Sequence, residues 1–194
     1  EQWFPSPERT ESSVCARVIP DGPDKNMDKM SIAFQGALAA ARHSVRIVTP
    51  YFLPERPLIA ALSTCALRGV DVDIVLPKKG NLRMVEWAAM AQMWQILEWG
   101  CRVWLSEGPF DHSKLMAVDG ALSLIGTSNW DSRSLRLNFE LGVECYDIGL
   151  TQKLETQIDT RIENAHRLTK AEVDSRPLPI KLRDGAVRLA APYL

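Results

Sequence analysis

Apolar residues along this chain recur in two periods, and the switching between them sets out an order of strands and helices. Residues 14–19 read as a strand, and Asp21, Gly22, Pro23 and Asp24 as a turn. Met30, Phe34, Ala37, Leu38 and Ala41 keep the spacing of one helical face, which predicts a helix over 27–42. A strand over 45–49 is closed by Pro50 and Pro54, a helix over 57–68 is ended by Gly69, and a strand over 70–76 stops at Pro77. A helix over 82–99 runs to Gly100, and 101–105 is again a strand. Two short apolar runs follow, then a helical stretch near 132–137, a strand carrying Glu140 and a helix from 150 to about 168. This order predicts an α/β fold, a mixed, largely parallel sheet flanked by helices on both faces. Residues 14–170 would form that domain, with 1–13 a polar, Pro-containing linker and 171–194 a tail.

The helix over 82–99 carries more apolar surface than one core contact uses. Val85, Ala89, Met93 and Ile96 make an ordinary core stripe, while Trp87, Met90, Ala91 and Trp94 make a second. Packing against another helix or a missing half accounts for that second stripe more simply than contact with lipid, although tryptophan is favoured at membrane interfaces. Lys78 and Lys79 follow a strand end, where they are solvated or attract anionic head groups.

Asp119 and Gly120 separate two β-like runs, and such a pair predicts a two-residue hairpin turn with positive φ at both positions. In that register Val118 faces Ala121, Met116 faces Ser123, Lys114 faces Ile125 and His112 faces Thr127. His112, Thr127 and Asn129 then gather at the open end of the hairpin, with Lys114 on the side of His112. Asp119 lies at the far end and reads as a structural brace.

Across this hairpin the sequence spells H-x-K-x4-D-x6-G-[S/T]-x-N, from His112 through Lys114, Asp119, Gly126 and Thr127 to Asn129. The set suits a phosphodiester. Lys114 supplies a point charge, Thr127 and Asn129 donate to non-bridging oxygens, and His112 serves as nucleophile or proton carrier. Phe139, Leu141, Val143 and Cys145 alternate with Glu140, which makes Glu140 the candidate carboxylate for fixing the tautomer of His112. A lone histidine on a strand would be unremarkable; beside Lys114, Asn129 and Glu140 it reads as catalytic. Arg133 and Arg136 lie near enough to Asn129 in sequence to position phosphate or pair with neighbours of Glu140. The lysine takes the electrostatic role of a cation, and no two of the three histidines are close in sequence, so neither metal nor other cofactor is expected.

The string resembles the HKD signature of the phospholipase D superfamily. Residues 110–147, including the run from Ser132 to Glu140, resemble the second catalytic half of bacterial cardiolipin synthases, as do Thr49, Pro50, Tyr51 and Phe52, residues 68–74 and residues 189–194. The likeness covers nearly the whole chain. It implies His112, Lys114 and Asn129 as active residues, Glu140 as the holder of the histidine, and Thr127 where many members have serine. It also implies two HKD halves face to face, yet His43 and His166 are followed two residues on by Val45 and Leu168, so this chain carries one.

The chain is accordingly read as a single HKD half, the carboxy-terminal part of a longer protein, partnered by the missing half or by a second copy. The resemblance implies phosphatidylglycerol as substrate, a phosphohistidine intermediate, release of glycerol, and a place at the membrane surface on the cytoplasmic face of a bacterial inner membrane. His112 leans towards acid and base rather than nucleophile. A phospholipase D-type hydrolase, a homodimeric single-HKD nuclease and a non-catalytic lipid-binding half are the competing readings.

Composition trims these. With 194 residues and 46% hydrophobic content one core can form, and a net charge of -1 disfavours a nucleic-acid partner. Cys15, Cys65, Cys101 and Cys145 lack ligand spacing and read as reduced thiols. No apolar run reaches the roughly 18 residues a membrane span requires.

Overall fold

The computed structural model describes residues 14–191, so the expected linker over 1–13 and the last three residues of the 189–194 likeness lie outside the described residues. The elements run β1 (Cys15–Asp21), α1 (Lys29–Ala40), β2 (Ser44–Val48), β3 (Phe52–Leu53), α2 (Arg56–Leu67), β4 (Asp71–Pro77), α3 (Arg83–Met90), α4 (Met93–Glu98) and β5 (Arg102–Ser106). They continue with β6 (Leu115–Val118), β7 (Leu122–Gly126), β8 (Trp130–Asp131), α5 (Ser132–Arg136), β9 (Glu140–Tyr146), α6 (Ile148–Glu163), β10 (Ala165–Leu168), α7 (Lys170–Asp174) and α8 (Leu178–Arg188).

Among the described residues eight strands form one sheet in the order β1-β9-β7-β6-β2-β4-β5-β10, with β3 and β8 paired apart. The sheet is mixed and has helices on both faces, as the alternation predicts. Its parallel part, however, is confined to β2, β4 and β5, and the remaining pairings are antiparallel. The two parallel pairings join strands linked by crossovers through α2 and through α3 with α4, whereas the tight turn between β6 and β7 allows only an antiparallel pair.

Two apolar layers hold the sheet. On one face Met30, Phe34 and Leu38 of α1, Leu62 of α2 and Ile96 of α4 pack on Val45, Ile47, Ile74, Val103 and Met116. Phe34 stacks on Trp130 with ring centroids 4.4 Å apart, and Phe52 leans on the same indole. On the other face Ile158 of α6 seals Val48, Val75 and Ala117.

The helix expected over 82–99 is two helices, because the chain leaves the helical path at Ala91 and Gln92 before α4 begins. The helix expected to reach about 168 ends at Glu163; residues 165–168 pair instead with the open edge of β5, which offers backbone partners no periodicity reveals. Residues expected as a tail form α7, begun by a Thr169–Glu172 capping box, and α8, which packs on α3. That packing covers Trp87, over which Arg183 lies at 3.9 Å from the ring centre, so another helix does meet the second stripe there.

The hairpin also differs by one residue from the expected register. Asp119 and Gly120 have φ of 51° and 65°, and Ala121 N–H donates to the Val118 carbonyl at 3.1 Å, so the turn itself is the one predicted. Ladder pairing nevertheless starts at Val118 with Leu122, leaving Ala121 as an extra residue on the returning strand. Met116 therefore faces Leu124 rather than Ser123, and Gly126 N–H rather than Ile125 meets the Lys114 carbonyl at 3.2 Å.

Tertiary contacts set that register. The Asp119 carboxylate accepts the N–H groups of Arg42, His43 and Ser44, each at 2.8 Å, and Gly120 N–H donates to Glu155. Asp119 thus ties the turn to the start of β2.

Candidate active site

Strand directions bring the motif residues to one edge. β6 runs antiparallel to β2 with Leu115 opposite Val48, so His112 and Lys114, just before β6, lie at the carboxyl end of β2. Thr127 and Asn129 follow β7, Glu140 opens β9, and Tyr51 follows β2; all sit at this same edge, while Asp119 marks the opposite one. Carboxyl ends of parallel strands are where α/β sheets place their ligand sites.

His112 is exposed, and the Lys114 ammonium touches it directly. Its Nζ lies 2.9 Å from Nδ1 and 3.2 Å from Nε2, and donates to the His112 carbonyl at 2.7 Å. A ring nitrogen accepts such a bond only where it carries no proton. Burial draws the Lys114 ammonium below the ordinary lysine value, opposed by the charges of Glu140, Asp131 and Asp111.

Glu140 is placed otherwise than expected. Its carboxylate accepts from the Thr127 hydroxyl and from Asn138 Nδ2 at 3.1 Å, and no hydrogen bond joins it to His112 among the described residues. Thr127 in turn accepts Leu141 N–H at 3.0 Å, because the close approach of β9 to β7 brings that backbone to the hydroxyl. Gly126 permits the approach, since a Cβ there would stand 2.6 Å from the Leu141 carbonyl oxygen. Asn129 donates to Ser134 Oγ at 2.9 Å, and its own Oδ1 is buried with no partner among the described residues. The imidazole and ammonium are thus in contact, whereas the Thr127 hydroxyl and the Asn129 amide are engaged by neighbours.

The family profile described as "Cardiolipin synthase, PLD-like domain" matches residues 35–162. The chain belongs to this family. It is 32% identical over 182 residues to the major cardiolipin synthase ClsA of Bacillus subtilis, covering 94% of this chain and 38% of that protein. It is 30% identical over 194 residues to cardiolipin synthase 1 of Staphylococcus epidermidis, covering 100% of this chain and 40% of that one. The chain therefore spans about two fifths of the length of these relatives.

Solved structures share the fold. Phosphatidylserine synthase of Haemophilus influenzae aligns with a TM-score of 0.74 at 18% identity, over 93% of this chain and 48% of that one. The phospholipase D family member Nuc of Salmonella typhimurium aligns with a TM-score of 0.69 at 22% identity, over 80% of this chain and 99% of that one.

Within this PLD-like domain several side chains that position the site escape notice in the motif alone. Asp111 accepts Ser113 N–H at 2.9 Å and Ser113 Oγ at 2.6 Å, and pairs with Arg161 of α6 at 2.9 Å. Burial pushes the Asp111 carboxyl up, but Ser113 and Arg161 outweigh it and hold it below the usual range. The irregular segment carrying His112 is thereby tied to a helix. Asp131 caps α5 by accepting Ser134 N–H at 2.7 Å, which sets the hydroxyl that holds Asn129. Burial raises the Asp131 carboxyl above its ordinary value.

Tyr51 and Phe110 flank the imidazole at centroid distances of 6.1 and 5.7 Å, and Tyr51 donates to Asn81 Oδ1 at 2.6 Å. Asp111-x-Ser113 and Asp131-x-x-Ser134 carry turn and cap signals legible in sequence; the aromatic flanks carry none, since β2 and β6 meet only in the fold. Arg136 pairs with Glu55 at 2.9 Å. Among the described residues no group of His, Cys, Asp and Glu is arranged to hold a metal ion.

Proposed function

We propose that this chain is one catalytic half of a phosphatidyltransferase that joins two phosphatidylglycerols into cardiolipin. The observation that carries it is the contact of the Lys114 ammonium with the His112 imidazole at the carboxyl edge of the sheet, in a chain about 30% identical to cardiolipin synthases along its length. In this reading the Lys114 charge meets the phosphodiester, and Asn129 and Thr127 turn from their present neighbours to the non-bridging oxygens.

One histidine of a paired site attacks phosphorus, the bond to glycerol oxygen breaks, and the other histidine gives that oxygen its proton. The second histidine then takes the proton of an incoming phosphatidylglycerol alcohol, whose oxygen displaces the first histidine from phosphorus. His112 is assigned the proton-carrying role. Its partner comes from a second HKD half, since this chain contains one H-x-K string. Glu140, released as Thr127 turns to the phosphate, supports the positive charge of Lys114 at the moment of transfer.

A second reading has its own support: Nuc is matched over 99% of its chain, so one such domain makes up nearly a whole chain there. Self-pairing of this chain would then supply both histidines, with DNA or water-driven lipid cleavage as the reaction. Incubation with phosphatidylglycerol vesicles and with DNA, of this chain alone and of the chain joined to a second HKD half, separates the readings. Cardiolipin and glycerol in equal amounts are expected from the joined protein, with a fall on the order of 10^3-fold or more in His112→Ala. Phosphatidic acid as the sole lipid product, or DNA cleavage by the chain alone, would replace transfer with hydrolysis.

A further inference from the structure

Helix α8 presents two faces of opposite character. Its inner face holds Asp184, fully buried and ion-paired with Arg176 and Arg183, and Val187, which packs against the main core. Its outer face carries Leu178, Leu182 and Leu189 at 67%, 64% and 85% exposure. Steps of four and seven residues put these leucines within about 40° of one another around the axis, so they form one stripe pointing away from the protein. Three exposed leucines in a row on a helix are not scattered surface residues.

Charge flanks this stripe on one side. Lys181 and Arg188 lie next to it on α8 and line a groove of about 920 Å³ that also takes in Arg56 and Trp94. Arg56, Lys181 and Arg188 have no acidic ion-pair partner among the described residues, and Trp94 is 46% exposed. The Gln92 side chain in the same groove is 3% exposed, with its Nε2 lacking an acceptor among the described residues. Lys181 donates only to a backbone oxygen, that of Asp174 at 2.6 Å, and an apolar stripe bordered by an indole and by cations with no carboxylate partner among the described residues has the chemistry of a helix lying in a membrane interface.

We infer that α8 docks this domain on a bilayer containing anionic phospholipids, with Leu178, Leu182 and Leu189 at the boundary of headgroups and acyl chains and Arg56, Lys181 and Arg188 against lipid phosphates. Of the second apolar stripe expected over 82–99, Trp87 lies under Arg183 of α8, while Trp94 of α4 stays exposed beside this surface. The inference deepens the lipid reading above and rests on it for its purpose. Docking is nevertheless read without turnover, so each can fail alone.

The test is co-sedimentation of this chain with vesicles of equal phosphatidylglycerol and phosphatidylcholine, against vesicles of phosphatidylcholine only. Binding is expected to the first, weakening with added salt and on the order of 30-fold weaker in Leu178→Glu/Leu182→Glu. Arg56→Glu and Lys181→Glu are expected to cost roughly fivefold each on the anionic vesicles. Both leucines are exposed, so the double variant keeps the wild-type melting temperature; unchanged binding by it overturns the inference. A Leu182→Trp variant guards against a misfolded result, since its fluorescence is expected to shift to the blue and be quenched by brominated lipid. An indole that stays in water on bound vesicles overturns the assignment. So does a double variant that converts a dimer to a monomer while binding vesicles as before, for the stripe would then join two copies. His112→Ala is expected to bind vesicles as the parent chain does, which separates docking from chemistry.

Discussion

Asp119 shares a motif with the histidine and lysine yet works at the opposite edge of the sheet. Three backbone N–H groups at 2.8 Å converge on its carboxylate, and their effect outweighs that of burial to hold the carboxyl below the usual aspartate value. Asp119→Asn keeps an acceptor but loses the charge, and is expected to cost about 1.5–3 kcal/mol in urea unfolding at neutral pH. The folded value is depressed, so this stability is complete above the ordinary aspartate value and is lost as pH falls through the depressed one. The gap between the parent chain and Asp119→Asn should therefore close in acid; a gap that persists there would remove the charge from the explanation. At the active edge the same logic of neighbours applies. Asn129 follows β7 at the edge that carries His112 and Lys114, but Ser134 and the Asp131 cap decide which way its amide turns.

Among the elements, α8 depends most on a single buried group. Asp184 is fully buried and meets both Arg176, in the turn before the helix, and Arg183 of the helix itself. Asp184→Ala would leave Arg176 without its carboxylate, and a broken buried pair costs about 3–5 kcal/mol. The expected result is early protease cleavage near residues 175–178 and loss of vesicle binding, with the main sheet still folded by circular dichroism. Global unfolding in place of local release would mean that α8 and the sheet form one cooperative unit. The short strand β10 illustrates the opposite dependence: four residues with helical neighbours on both sides become a strand because β5 offers an edge.

At the scale of the molecule the sheet is unevenly covered. Helix α6 seals Val48, Val75 and Ala117, but the same face continues through Leu115, Ile125, Val143 and Val18, which stand opposite one another along β6, β7, β9 and β1. Val18 is 60% exposed, and Phe139 and Leu141 beside it are exposed at the edge that carries Glu140. In the proposed pairing, a second HKD half would cover this face. Val18→Asp is expected to change stability by no more than about 0.5 kcal/mol while lowering transfer activity of the paired protein at least tenfold. Full activity in that variant would place the pairing surface elsewhere.

What the sequence determined by itself is what local rules decide: the two apolar periods, most strands and helices, the positive-φ turn at Asp119 and Gly120, and the side-chain types that phosphoryl chemistry uses. These follow from residue spacing and backbone preference, which act over a few residues. The tertiary structure decided the rest. The extra residue at Ala121, and with it the partner of Lys114, was set by tethers from Arg42, His43, Ser44 and Glu155 that lie far along the chain. The antiparallel majority of the sheet followed from which edges met. Glu140 sits in the site region as its alternation allowed, but Thr127 and Asn138 took its oxygens because β9 closes on β7 at Gly126, where a Cβ would meet the Leu141 carbonyl. Periodicity fixes which face a residue occupies; only the packed chain fixes which neighbour reaches it first.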